Sequence, residues 1–172
     1  MFLRKILVVL CLSFILLSHP MAVRAAEPKG SEQEGFIYQF YRDQAWEAVI
    51  MAPPEWVGIF NQSQPELEKY FDDKLVALIL KDKAESQKEG DVGRLDFSPI
   101  WDSQDPTGVG DLEVLKTDKA DVVTVTFRYP GAEQKNSLSY YLTKTARGLR
   151  IQNITSAGWS LLEILEAPWD SK

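Results

Sequence analysis

The sequence predicts an α+β domain in which N-terminal helices pack on one face of a curved antiparallel sheet. Two observations support this fold class. In the first half of the chain, apolar residues recur with the helical period of about 3.6, over residues 36–49 and 64–80. From Asp111 onward they alternate with polar residues, which is typical of half-buried strands. Helices followed by a run of strands indicate an α+β arrangement.

The first predicted helix begins near Phe36 and ends before Pro53-Pro54, because proline interrupts a helix. Trp46 lies outside its apolar stripe, and we expect it to pack on a neighbouring element, the alternative being that it closes a cleft. The stripe consists of Phe36, Ile37, Phe40, Tyr41, Ala45, Ala48 and Val49.

The second predicted helix runs from Gln64 into the early eighties. Ser63 and Glu66 have the spacing of a capping box, and Pro65 stands in the first turn. The charged residues 81–91 are predicted to follow it as a solvated tail that ends at Gly90.

Strands account for most of the second half. Residues 111–118 and 120–130 are predicted to form a hairpin, residues 136–145 a third strand and residues 149–154 a fourth. A short helix from Gly158 is expected to dock on the sheet through Leu161, Leu162 and Leu165. The residues expected to face the core are Val123, Val125, Phe127, Tyr129, Leu138, Tyr140 and Leu142.

The N-terminus has the pattern of an export signal. Arg4 and Lys5 precede a twelve-residue apolar run over 6–17, and Val23-Arg24-Ala25 offers small residues at a cleavage site. We therefore predict a signal peptide over 1–25, a flexible arm over 26–34 and one α+β domain over 35–172. The expected location is the periplasm or the exterior, with no retained membrane segment.

The charge of the chain argues against nucleic acid as a partner. The formal net charge is −6, and removal of residues 1–25 takes away three basic residues and no acid, so that it falls to −9. An acidic surface repels phosphate backbones.

The absence of histidine and cysteine from the mature chain excludes several chemistries. Cys11 and His19, the single members of their types, both lie in the predicted signal. Ser-His-Asp and Cys-His nucleophiles, zinc sites built on these residues and disulfides are therefore excluded. Carboxylates, lysines and tyrosines remain for acid-base work, and no cofactor is predicted.

The segment "LDFSPIWDSQDPTGVG", residues 95–110, concentrates acids, an amide and aromatic residues between the two halves of the chain. Its acids do not have the spacing of a calcium loop, so no metal is predicted. Asp102 and Asp105 have an alternative interpretation as turn-capping residues, and Phe97 and Trp101 either line a pocket or plug it. The candidate ligand-binding residues are Phe97, Trp101, Asp102, Gln104 and Asp105.

Several segments together resemble a family of exported bacterial proteins of unknown function. They are "YFDDKLVALI", "LDFSPIWDSQDP", "ADVVTVTF", "GLRIQNI" and "GWSLLEIL", and the resemblance extends over about residues 36–165. Its most specific residues are Gln104 and Asp105. The chain departs from the family pattern at Ser98, where an acid precedes the proline, and at Leu149, where a tryptophan is frequent. The resemblance implies a cystatin-like, nuclear-transport-factor-2-like fold, a cone of curved sheet over helices.

The same resemblance implies no particular reaction, since proteins with this fold either bind ligands, dimerise or catalyse. Our hypothesis is an exported, non-catalytic binding module with a concave pocket for a small molecule or protein partner, acting as a monomer or homodimer. A narrower form is an inhibitor or immunity protein whose acidic surface meets a basic partner. The alternative is a histidine-free isomerase, dehydratase or hydrolase. It would use Asp96, Asp102 or Asp105 together with Tyr140 or Tyr141, as ketosteroid isomerase uses aspartates and tyrosine inside its cone.

Overall fold

The computed structural model of the chain describes residues 30–49, 57–90 and 92–169. The predicted signal peptide and the predicted helix stop at Pro53-Pro54 lie outside the described residues. The helical elements are α1 (Glu32–Gln44), two 3-10 turns (Ala45–Ala48 and Ile59–Asn61), α2 (Gln64–Leu67), α3 (Asp73–Glu89) and α4 (Leu161–Glu166). The strands are β1 (Gly110–Lys116), β2 (Val122–Arg128), β3 (Asn136–Thr145) and β4 (Gly148–Thr155). The α+β class is confirmed, whereas the cystatin-like cone stays a prediction.

Helix α1 begins earlier than the apolar stripe indicated. Ser31 Oγ accepts the backbone N–H of Glu34 at 3.3 Å, and the Glu34 carboxylate accepts the backbone N–H of Ser31 at 2.7 Å, which completes a capping box. Residues 32–34, assigned above to the flexible arm, are therefore the first turn of α1.

The single helix predicted from Gln64 into the early eighties is wrong. The Ser63 side chain makes no capping bond, and α2 ends after one turn at Leu67. Residues 68–70 form hydrogen-bonded turns, and Phe71 N still donates to the Leu67 carbonyl at 2.9 Å. Asp72 has an extended backbone and starts a new helix by accepting the backbone N–H of Leu75 at 2.8 Å. Residues 70–72 are held by β4, since Asp72 N donates to the Ile151 carbonyl at 3.0 Å and Ile151 N donates to the Tyr70 carbonyl at 2.7 Å.

The charged run after residue 80 is helical, which corrects the predicted solvated tail. Helix α3 continues to Glu89 and ends at Gly90, whose φ of 68° is the left-handed conformation that glycine adopts without strain. Asp82, within this run, is buried. Lys81, Lys88 and Glu89 of the same run are exposed, so their charges remain solvated in the helix.

The four strands form one antiparallel meander in the order β1-β2-β3-β4. In the middle of the sheet Val125 pairs with Val114 on one side and with Leu138 on the other. The pairing of β1 with β2 is irregular between Gly110 and Glu113. The predicted inward face is confirmed, apart from Tyr129, which is half-buried beyond the end of β2; the fully buried members are Val123, Val125, Phe127, Leu138, Tyr140 and Leu142.

The space between this face and the helices is filled by side chains. Tyr41 of α1 donates its hydroxyl to the Ile100 carbonyl at 2.6 Å, and the Tyr140 hydroxyl lies 2.7 Å from that of Tyr41. Phe40 and Phe71 complete an aromatic cluster around this pair. The face of the sheet that is turned towards the helices is consequently part of a packed core. Across the described ranges, no helix combines the length and apolar character needed to cross a membrane.

Candidate functional site

The connection between the helical and strand halves folds into a tight turn. Ser98 N donates to the Ser103 carbonyl at 2.8 Å, and Trp101 N donates to the Ser98 carbonyl at 3.1 Å. The turn closes through Asp102 at a φ of 52°, a conformation that aspartate tolerates better than most residues. Because of this turn, Phe97 and Gln104 line a surface cleft, whereas Trp101 between them is buried in the core.

The two aromatic candidates have different surroundings. Trp101 is only 2% exposed and packs edge-on against Tyr41, at 5.0 Å between ring centroids, and against Phe127, at 5.8 Å. It is a core residue, and it also borders a cavity of about 330 Å³ between α1 and β1. Phe97 is half-buried, contacts the Trp159 ring edge-on at 5.2 Å and lines an open cleft.

The acidic candidates stabilise turns. Asp102 accepts the Trp159 indole N–H at 2.7 Å and the Ser156 hydroxyl at 3.1 Å, which attaches the turn to the segment before α4. Asp105 accepts the backbone N–H of Thr107 at 3.0 Å. The Thr107 hydroxyl and backbone N–H together hold the pKa of Asp105 below its ordinary value. Gln104, by contrast, lines the same cleft as Phe97.

We call this opening the α3 cleft. It lies between residues 58–61, the second half of α3 and residues 92–98, and its volume is about 400 Å³. Small-molecule sites in proteins have volumes of this order. Its described apolar lining consists of Phe60, Ile79, Val92, Leu95 and Phe97, and its polar lining of Glu47, Asn61, Asp82, Lys83, Ser86, Gln87, Asp96, Ser98 and Gln104.

Glu47 is fixed in the wall of the α3 cleft by the 3-10 turn that follows α1. One carboxylate oxygen accepts the Ile59 N–H at 2.8 Å, and the other accepts the Ser98 hydroxyl at 3.0 Å. Burial raises the pKa of Glu47, against the opposing effect of these bonds and of the nearby Trp101 indole. That indole N–H is buried and has no acceptor at normal hydrogen-bonding geometry in the part of the chain described.

A glycine permits the close approach of Glu47. A Cβ atom on Gly58 would lie 3.2 Å from the Glu47 carboxylate, which is tighter than most contacts of this kind. The backbone at 58–59 therefore holds the carboxylate from one side, while Ser98 holds it from the other.

Asp82 and Arg94 form a second fixed charged group. Asp82 is 5% exposed, and its carboxylate accepts the Arg94 guanidinium at 2.9 Å and the Arg94 backbone N–H at 3.1 Å. The same guanidinium donates to Glu85 at 2.8 Å and to the Ala167 carbonyl at 3.0 Å, and it lies over the Trp169 ring at 4.7 Å. Residues 92–94 are thereby attached to both α3 and the C-terminal segment.

This pair also depends on a glycine. A Cβ atom on Gly93 would lie 2.6 Å from an Asp82 carboxylate oxygen, a distance that requires something to move. Only glycine at this position allows the chain to cross Asp82 so closely.

The structure thus brings two of the five predicted residues, Phe97 and Gln104, to one cleft. Trp101, Asp102 and Asp105 lie elsewhere. Sequence analysis missed Glu47, Asp82 and Arg94. One signal was available for Asp82, because it follows Leu75 and Ile79 on the buried face of α3, where a charged residue requires a partner.

Within the described ranges no group of three or more acidic, histidine or cysteine side chains is placed to hold a metal ion. Comparison of the chain with protein-family models, curated proteins and solved structures finds no match.

Proposed function

We propose that this protein is an exported, non-catalytic binding module whose ligand occupies the α3 cleft. The observation that supports this most directly is an open cleft of about 400 Å³ whose wall holds polar groups in fixed positions. Glu47 and Asp82 are each held by two or more hydrogen bonds, so a ligand would meet a preorganised surface.

The catalytic alternative receives less support from the residues on which it depends. The Tyr140 hydroxyl is paired with that of Tyr41 inside the core. The Asp102 carboxylate accepts hydrogen bonds from Ser156 and Trp159, and the Asp105 carboxylate accepts one from Thr107. Asp96 lines the α3 cleft, but no tyrosine is among the described residues of that lining. The mechanism requires an aspartate and a tyrosine that share an open apolar pocket, and these contacts do not bring such a pair together.

Export is proposed from the N-terminal pattern of charged, apolar and small residues over 1–25. Expression of the full chain in a bacterium and intact-mass measurement of the protein released from the periplasm test this directly. We expect a species that begins at Ala26. An uncleaved chain that remains in the cytoplasm would contradict the proposal.

Occupancy of the α3 cleft is tested by blocking it. Gln87 is exposed on α3 and lines the cleft, so Gln87→Trp should fill part of it. Lys88→Trp is the matched control, since Lys88 is exposed on the same helix outside the cleft. Native mass spectrometry of each protein, after incubation with the small-molecule fraction of an envelope extract, detects any bound ligand as an added mass.

We expect the added mass on the unmodified protein and on Lys88→Trp, and its loss on Gln87→Trp. A mass that is retained equally by both variants would place the ligand elsewhere. The absence of any added mass on all three proteins would contradict the proposed function.

A further inference from the structure

We infer that the α3 cleft binds a neutral saccharide, an inference that rests on the binding function proposed above. Its polar lining contains carboxylates, amides and hydroxyls, beside two aromatic rings. The carboxylates are Glu47, Asp82 and Asp96, the amides Asn61, Gln87 and Gln104, the hydroxyls Ser86 and Ser98, and the rings Phe60 and Phe97.

The fixed carboxylates favour a ligand that donates hydrogen bonds. Each oxygen of Glu47 accepts one protein hydrogen bond, from Ile59 or Ser98, and an ionised carboxylate oxygen has room for a second. A carboxylic acid retains acceptor capacity as well. Amide side chains donate and accept in equal measure. A ligand rich in hydroxyls, each of which both donates and accepts, matches this set.

The charges of the cleft disfavour an anion. Its described lining contains three carboxylates and one cation, Lys83, whose ammonium donates to the Asn61 carbonyl at 2.8 Å. A phosphate or carboxylate ligand would have to approach this excess of negative groups.

A strongly cationic ligand is disfavoured for a different reason. Asp82 is already neutralised by Arg94 at 2.9 Å. Both oxygens of Glu47 already accept protein hydrogen bonds, from Ile59 and Ser98. Of the three carboxylates, only Asp96 is exposed. The negative excess is therefore enough to oppose an anion, whereas its exposed member, Asp96, is screened by solvent and attracts a cation only weakly.

The aromatic residues supply the apolar part of such a site. Phe60 packs against Phe71 at 5.5 Å between ring centroids, and Phe97 packs against Trp159 at 5.2 Å. Each ring of the cleft is therefore held in place by a second aromatic ring. A sugar ring has one face of C–H groups that covers an aromatic surface while its hydroxyls point to polar side chains. A purely apolar ligand would leave the polar lining without water or partner.

The test uses the mature full chain, labelled with ¹⁵N, in amide-resolved NMR titrations at millimolar ligand. The probes are cellobiose and N,N′-diacetylchitobiose as neutral disaccharides, spermidine as a cation and inorganic phosphate as an anion. We expect at least one disaccharide to shift the amides of Asn61, Ser86 and Phe97. Its affinity should fall about tenfold or more in Gln87→Trp and stay within about twofold in Lys88→Trp.

The outcomes separate the ligand class from the binding function. Shifts of these amides with spermidine or phosphate but with neither disaccharide would overturn the saccharide inference and leave the cleft as a binding site. Saccharide shifts that persist unchanged in Gln87→Trp would overturn it by placing the sugar elsewhere. If no probe shifts these amides, the inference is overturned, and the added-mass experiment with envelope extract decides separately on the proposed function.

Discussion

Glu47 shows how one residue can belong both to the architecture and to the site. Its carboxylate connects the turn after α1 to Ile59 and to Ser98, three points that are distant in sequence. The same carboxylate lines the α3 cleft. A buried carboxyl group is most stable in its neutral form, so the contribution of this residue to folding depends on pH.

Replacement of Glu47 by glutamine should remove this pH dependence. Because burial raises the pKa of Glu47, the folded state holds its proton more tightly than the unfolded state. That stabilisation is fully present below the ordinary value of 4.5 and is lost as the pH rises through the higher pKa of the folded protein. The free energy of unfolding of Glu47→Gln, relative to the unmodified protein, should therefore increase as the pH rises from 4.5 through the higher pKa of the folded protein.

Urea denaturation at a series of pH values measures this difference. Glu133→Gln, at an exposed position, is the control for the loss of one surface charge. A Glu47→Gln difference that stays constant or decreases as the pH rises would show that burial does not govern this carboxyl group.

Asp102 illustrates what sequence could and could not predict about a residue. Its position before a turn predicted a structural alternative to ligand binding, and its contacts with Ser156 and Trp159 agree with that alternative. Its partners follow β4, more than fifty residues later in the chain. A local sequence pattern does not indicate hydrogen-bond partners that are so distant in the chain.

At the level of elements, the sequence predicted those features of helices and strands that depend on the local pattern of apolar residues. The alternation in β2 and β3 corresponds to buried faces in the structure, as does the stripe of α1 at Ile37, Phe40 and Tyr41. Ala45 and Val49, predicted on the same stripe, are exposed, because α1 ends at Gln44. The break between α2 and α3 was not predicted, because it depends on the pairing of residues 70–72 with Ile151. Helical periodicity continues across residues 68–72, so the apolar pattern alone does not reveal the break.

The two candidate caps in this region should differ in their effect on stability. Asp72→Ala removes the side chain that accepts the Leu75 N–H, and we expect a loss of about 1 kcal/mol. Ser63→Ala removes a side chain that makes no capping bond, so its effect should stay within about 0.5 kcal/mol. Chemical denaturation of the two variants measures both values. Equal losses, or a larger loss in Ser63→Ala, would favour the uninterrupted helix over the structure.

At the level of the whole molecule, Arg94 joins three parts of the chain. Its guanidinium contacts Asp82 and Glu85 of α3 and the carbonyl of Ala167 after α4, and its own segment forms one wall of the α3 cleft. The sequence predicted a site on the linker at Phe97, Trp101, Asp102, Gln104 and Asp105, and of these Phe97 and Gln104 line the α3 cleft. It did not predict Arg94, because the importance of this residue arises from the burial of Asp82 by tertiary packing.

Arg94→Ala should destabilise the protein strongly, since it leaves the Asp82 carboxylate buried without its partner. We expect a loss of about 3 kcal/mol in the free energy of unfolding and faster hydrogen exchange in residues 92–97 and α4. Arg147→Ala is the matched control, because Arg147 makes surface ion pairs with Glu68 and Asp73. Its loss should be within about 1 kcal/mol. Similar losses in the two variants would show that the Asp82 pair is no more important than a surface contact.

The two edges of the sheet have consequences for how separate molecules behave in concentrated solution. The β4 edge is met by Phe71, and the β1 edge carries Asp111, Glu113 and Lys116 next to its irregular pairing. Charged side chains and bulges at an edge strand make it a poor template for another strand. The folded protein is therefore protected against edge-to-edge aggregation, a property that suits a protein proposed to act outside the reach of cytoplasmic chaperones.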